Sequence, residues 1–213
     1  MTNKEKKIDD IISFMDELFP SAHCELNYSK DYELVIAVML SAQTTDKAVN
    51  KVTERLFKDF PSLKALKEAS EEDIYKDIKH LGLAHNKAKN VKGIATRLVK
   101  DYNEVVPSSK EELMKLPGVG RKTANVVRAE LFSLPEFAVD THVERVSKRL
   151  KLAFLNDTPY QVEMKLKKLF PQERYIKSHH QFIHFGRYFC KAINPSCSSC
   201  KLKAYCRYKK EKE

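Results

Sequence analysis

Leu116-Pro117-Gly118-Val119-Gly120-Arg121-Lys122-Thr123-Ala124 is the stretch that decides how this chain is built. Pro117 disfavours helix at the residue before it. Gly118 and Gly120 permit positive φ and let a backbone approach a ligand closely. Val119 between them can plug into a core. A helix opening at Arg121 points its unpaired N–H groups outward, and with the helix dipole these donors suit a phosphate. Arg121 and Lys122 add positive charge at the border. A lone Gly-x-Gly is an ordinary tight turn. Nine residues in this order, between two amphipathic segments, read instead as a helical hairpin made to hold an anion.

Working outward, the rest of the chain also reads as helix after helix, with no period-two strand and no β-hairpin signal. Asn3 to Phe19 carries Ile8, Ile11, Ile12, Met15 and Leu18 on one stripe and stops at Pro20. Tyr32 to Ala42 is nearly all apolar and predicts a central buried helix. Asp46 can cap the next, with Val49, Val52 and Leu56 inward. Ser62 and Ser70 read as caps of two short helices. Lys87 to Tyr102, a short segment after Ser109, Arg121 to Ser133, Asp140 to Leu152, Thr158 to Phe170 and Glu173 to Ala192 complete the set. Thr158-Pro159 is a cap followed by proline at the first helical position. The fold class is all-α.

Lys122 falls in the first turn of the hairpin's second helix. The helix dipole and Arg121 both disfavour a cation there, which favours the neutral, nucleophilic amine. A solvated or phosphate-binding lysine is the plainer alternative. Asp140, in Ala138-Val139-Asp140-Thr141-His142-Val143, is a complete N-cap, and a catalytic role is compatible with capping. The distance is permissive: eleven helical steps from Lys122 to Ser133 span about 16 Å, and six extended steps from Leu134 to Asp140 span about 20 Å. Pro135 favours that extended return.

Four of the five cysteines lie in the last 24 residues, and Cys190, Cys197, Cys200 and Cys206 are separated by six, two and five residues. In a reducing compartment such a cluster points to metal rather than to disulfides. Four thiolates suit zinc, but zinc modules usually show paired short spacings. Spacing leaves the metal open. Cys24 stands apart and is expected to be a buried, inert thiol.

Composition bounds the partners. Lys plus Arg is 39 against 29 Asp plus Glu, a net +10 that suits a polyanion. Lys87 to Lys100 holds five basic residues and no acidic one, and the tail from Lys201 holds six against two. The longest apolar run, Leu34 to Leu40, is far short of a membrane span. Residues 1–7 are polar with no apolar core behind them, so no secretory leader is expected. A cytoplasmic, nucleoid-associated monomer is the expectation.

Four elements now resemble one family in one order: Leu40-Ser41-Ala42-Gln43-Thr44-Thr45-Asp46, Leu116 to Val127, Val139-Asp140-Thr141-His142 and the cysteine spacing. The chain resembles endonuclease III over essentially its whole length. The resemblance implies a six-helix barrel over 25–134 with a helix-hairpin-helix at about 109–133. It also implies a second helical domain from 1–24 with 135–213, carrying a [4Fe–4S] cluster on Cys190, Cys197, Cys200 and Cys206. It implies base-excision repair of double-stranded DNA with damaged bases or abasic sites, oxidised pyrimidines foremost. Lys122 aligns with the Schiff-base lysine of a glycosylase and abasic-site lyase, Asp140 with its essential aspartate. Gln43 aligns with the residue that fills the gap left by an extruded nucleotide. Leu83 aligns with the wedge of the 80–87 loop. The implied DNA contacts are Gln43, Leu83, Lys87, Gly118, Val119, Gly120, Arg121, His142 and Lys191. Ala84, usually aromatic in relatives, and the single basic residue between Cys190 and Cys197 depart from the pattern. Phosphate contacts there are expected to shift to Lys201 and Lys203.

Three other readings fit part of this pattern. An adenine mismatch glycosylase shares the fold and cluster but lacks the lysine at 122. A non-catalytic DNA-binding iron–sulfur protein does not need Lys122 and Asp140 together. An electron carrier does not need the hairpin.

Overall fold

A computed structural model describes residues 2–208. The part of the basic tail beyond Tyr208 lies outside the described residues. Among those described there is no strand, and the expected all-helical architecture is the one adopted. The helices are α1 (Asn3–Leu18), α2 (Asp31–Leu40), α3 (Asp46–Asp59), α4 (Leu63–Glu68), α5 (Glu71–Ile78), α6 (Ala84–Asp101), α7 (Lys110–Leu113), α8 (Arg121–Phe132), α9 (Thr141–Arg149), α10 (Pro159–Leu169) and α11 (Tyr175–His184). None is long and apolar enough to cross a membrane among the described residues. Packing divides the chain into Glu25–Leu134 and a unit made of Met1–Cys24 with Pro135–Glu213.

In Glu25–Leu134, α2 is the central helix, buried from Tyr32 to Leu40. Burying each large apolar side chain of that run contributes about 1.5–3 kcal/mol, an upper estimate. Its one buried carboxylate is not stranded: Glu33 accepts from the Ser29 and Lys30 amides at 2.8 and 3.2 Å, serving the helix N-terminus. Val49, Val52 and Leu56 bury the stripe of α3 as the spacing predicts. Its cap is Thr45, not Asp46; the Thr45 side chain accepts from the Ala48 amide, and Asp46 instead places its charge in the first turn. Ser62 and Ser70 cap α4 and α5. Both helices lie along α6, the longest of the unit. α7 is a single turn, and α8 returns past it.

The other unit has its own core. Ile8, Ile11, Phe14 and Met15 of α1 pack with Phe137, Val143 of α9, Val162 of α10 and Phe182 of α11. Thr2 and Glu5 form a capping box on α1, and Thr158 and Gln161 form another on α10 with Pro159 at its first position. The last helix does not run to Ala192 as its apolar pattern suggests. α-Helix ends at His184 and widens into a π-helical turn, Phe185–Phe189, before Cys190. This turn lies against α9. A Cβ on Gly186 would stand 2.8 Å from the His142 Cβ, so only a bare backbone fits there. Arg145 Nη2 fixes the Gly186 carbonyl at 2.7 Å. Cys24, expected buried, is half-buried.

Candidate functional site

The hairpin turn is closed by its own residues. Leu116 and Val119 are buried, and the Val119 amide donates to the Leu116 carbonyl at 3.1 Å. Gly118 is left-handed at φ +74, and a Cβ there would meet the Asn90 Nδ2 at 2.5 Å. Any other residue would be strained and obstructed. Gly120 does not use the positive φ that glycine permits: it is extended, φ −92 and ψ 179, with open space where a Cβ would be. No side chain caps α8 at Gly120, so the first-turn amides are donors on offer to an anion. Behind the turn, Arg128 of α8 holds the Ser108 carbonyl. Lys122 is half-buried in the first turn of α8, and its ammonium has no hydrogen bond or ion pair among the described residues.

α6 serves as the spine of this face. It begins at Ala84, three residues earlier than its periodicity suggests, because Leu83 takes a left-handed N-cap at φ 61. Leu83 is 59% exposed. Lys87, one turn on, is only 4% exposed. Its Nζ donates to the Ala42 carbonyl at 2.9 Å and the Thr44 Oγ1 at 2.8 Å. These two bracket Gln43, which is exposed and left-handed at φ 56. Burial pushes the Lys87 amine below the usual lysine range. Lys87, expected among the DNA contacts, thus has its ammonium engaged by two groups of the protein itself. Another turn along, Asn90 abuts Gly118, and a Cβ on Gly93 would stand 2.8 Å from the Pro117 ring. One face of α6 thus gathers Leu83, the Gln43 turn and the hairpin. His85, beside the departure at Ala84, is stacked on Tyr75 with ring centroids 3.9 Å apart.

In the other unit, Asp140 is the N-cap the sequence predicts. Its Oδ1 accepts from the His142 and Val143 amides at 2.9 and 2.8 Å, so Oδ2 keeps its lone pairs. Burial pushes the His142 imidazole below its ordinary value; Arg145 and Arg187 act the same way and Asp140 opposes them. Arg145 Nη2 lies 3.2 Å from the His142 Nδ1 and reaches the Gly186 and Cys190 carbonyls. One turn later, Arg149 Nη1 donates to Cys190 Sγ at 3.3 Å and to the Lys191 carbonyl at 2.7 Å, and Nη2 to the Ala192 carbonyl. Its guanidinium rests 4.0 Å from the centre of the Tyr208 ring. Lys191 itself is exposed.

All four loop cysteines line one cavity of about 510 Å³. Burial pushes the Cys200 thiol up, and Cys190, Cys206 and Cys197 add to the rise. Thiols this mutually close resist ionising without a cation among them. Yet no three His, Cys, Asp or Glu side chains converge on a single ion among the described residues. Of the lysines expected to contact phosphate here, Lys201 is engaged by Glu17 and Lys203 by the Ser198 carbonyl.

Sequence reasoning missed Asn90, Arg145, Arg149 and Gly186. A pair of arginines four apart on a nine-residue helix was a usable signal, since both point along one face. The contact between Gly186 and His142 left no local trace.

A family model described as HhH-GPD superfamily base excision DNA repair protein matches residues 36–172. Endonuclease III of Bacillus subtilis (strain 168) is 46% identical over 202 residues, covering 95% of this chain and 92% of the relative. Endonuclease III of Escherichia coli (strain K12) is 42% identical over 209 residues, covering 98% of each. A solved structure of a trapped endonuclease III–DNA covalent intermediate, an estranged-adenine complex, is 48% identical and superimposes with a TM-score of 0.93 over 97% of both chains.

Proposed function

This chain belongs to the endonuclease III family of the HhH-GPD superfamily, base excision repair glycosylases and lyases, and from that premise we propose that Lys122 is its nucleophile and Asp140 its essential carboxylate. The substrate is double-stranded DNA carrying damaged bases, oxidised pyrimidines foremost, or abasic sites. The observation that carries the assignment is Lys122 itself: an amine with no hydrogen-bond or ion-pair partner among the described residues, in the first turn behind a glycine hairpin that offers backbone donors to phosphate.

A base inside the stack cannot be attacked, so the nucleotide is extruded at a cost of a few kcal/mol. The hairpin amides and Arg121 hold the backbone without reading sequence, while Gln43 and Leu83 occupy the space vacated. Lys122 Nζ forms a bond to C1′ as the glycosidic bond breaks and the base leaves. Loss of the amine proton and ring opening give an imine. Removal of a C2′ proton then expels the 3′ phosphate by β-elimination, nicking the strand. Asp140, through Oδ2, stabilises positive charge at the sugar and assists proton movement. His142 and Lys191 contribute further contacts to the DNA.

Cys190, Cys197, Cys200 and Cys206 would hold a [4Fe–4S] cluster, whose contribution here is to organise the loop rather than to react. The cavity they share and the raised Cys200 thiol support that reading.

A panel of duplexes with single lesions, scored separately for base release and for strand scission, tests the function. Release of oxidised pyrimidines with scission at abasic sites is expected. Base release without scission would overturn the lyase assignment, and binding without either would leave only duplex adhesion.

A further inference from the structure

We propose that Lys87 is a positioning residue that fixes Gln43 and Leu83 before DNA arrives. The inference rests on the reading above that these two residues enter the duplex. Both are exposed, and both adopt the left-handed backbone that residues with a Cβ avoid. Conformations of that kind persist only where the surroundings over-determine them. Lys87 is tied to each. Its amide donates to the Leu83 carbonyl at 3.0 Å. Its ammonium clamps the residues on either side of Gln43, at the Ala42 carbonyl and the Thr44 hydroxyl. Thr44 Oγ1 in turn reaches the Ala42 carbonyl at 3.3 Å, and the Thr44 amide bonds the Ser41 carbonyl at 3.1 Å, so the clamp closes a small ring around the turn.

A phosphate contact is the competing role for a lysine on this face. It would require the ammonium to abandon both partners and leave a site where Lys87 is 4% exposed. The side chain leaves α6 toward the 42–44 turn, where its charge is held by the Ala42 carbonyl and the Thr44 hydroxyl. In this arrangement the lysine sets the spacing of two insertion residues that come from different parts of the chain.

The two roles differ in their salt dependence and in their coupling. Binding of the purified full chain is measured on a duplex carrying a tetrahydrofuran abasic analogue and on the intact duplex, across a salt series. Lys87→Met is expected to lower the preference for the abasic analogue about tenfold, because misplaced insertion residues no longer distinguish the gap. The log–log salt slope should stay near the wild-type value, whereas loss of a phosphate contact makes it shallower by about 0.9. In a Gln43→Ala background the added cost of Lys87→Met should shrink to about twofold or less, the mark of residues acting as a unit. Lys87→Arg should restore part of the preference. Thr44→Val, which removes one acceptor and keeps the lysine, should shift it the same way by less, and serves if Lys87→Met does not fold. A slope shallower by about 0.9 with preference intact, or full additivity with Gln43→Ala, overturns the inference. Wild-type protein that does not favour the abasic analogue sinks the insertion reading itself; wild-type preference that survives Lys87→Met sinks the role of Lys87 alone.

Discussion

The two units keep their chemistry in place by opposite means. Glu25–Leu134 is one continuous stretch, and its hairpin face is set mainly by backbone: a left-handed Gly118 against Asn90, a Gly93 pressed on Pro117, and left-handed Gln43 and Leu83 with one buried lysine, Lys87, bonded beside them. The other unit is assembled from two separated stretches and is stitched by side chains. Asp16 binds Arg174 and Lys177, Glu17 binds Lys201, Tyr205 donates to Asp10, and Arg149 gathers the cysteine loop. A backbone device is stiff and specific but intolerant of a methyl group. A side-chain device tolerates change in small steps, except where its donors need a bound group to complete them.

The largest effect should come from the residue that neither device protects. Lys122→Ala is expected to lower strand scission on the order of 10³-fold or more, while duplex binding changes little. Equal losses in both assays would mean that Lys122 belongs to the gripping surface instead. Next, Cys200→Ser should remove the visible absorption of the purified protein. It should also destabilise the side-chain-stitched unit by several kcal/mol, read as a lower melting temperature. Retained absorption and stability would break the claim that this unit depends on a bound group.

Two glycines sharpen the backbone half of the comparison. Gly118→Ala should cost about 3 kcal/mol, from left-handed strain and the clash at Asn90. Gly120→Ala meets open space in extended backbone, so denaturant melts should move by less than about 1 kcal/mol. Its penalty should appear in DNA affinity, where an added methyl keeps the phosphate away. Unchanged affinity would remove Gly120 from the contact surface.

The smallest effect concerns one stitch. Burial alone would raise the Asp16 carboxyl, but hydrogen bonds from Arg174, Lys177 and Gln181 outweigh it and hold the group well below the usual carboxylate range. A depressed folded value gives stability that is fully present above the unfolded value of about 3.9 and is lost as pH falls through the folded one. Asp16→Asn should therefore cost about 1 kcal/mol at pH 7, discounted for its exposure. The gap from wild type should narrow as pH falls below about 4, as acid titrations of the melting temperature would read. A gap constant down to strongly acidic pH would mean the stitch contributes nothing.

How far the sequence could be read follows the same division. The hairpin was legible because Pro117, Gly118 and Gly120 encode backbone locally, and the caps at Ser62, Ser70, Asp140 and Thr158 are equally local. The start of α6 and the burial of Lys87 were not legible, because the helix begins after a left-handed Leu83, a residue with no capping signal. The burial of Lys87 depends on a loop far away in sequence. The π-helical turn escaped because no local signal marks it, and the close approach of Gly186 to His142 is a contact between separate helices. The grouping of Cys190, Cys197, Cys200 and Cys206 around one cavity was legible from their spacing, which left the identity of any bound group open.

The central claim is that Lys122 forms the covalent bond to the sugar. Borohydride reduction with an abasic duplex, followed by protease digestion and mass mapping of the adduct, tests it directly. A single modified site at Lys122, lost in Lys122→Ala, is the result the account predicts. An adduct on another lysine, or undiminished trapping by Lys122→Ala, would contradict it.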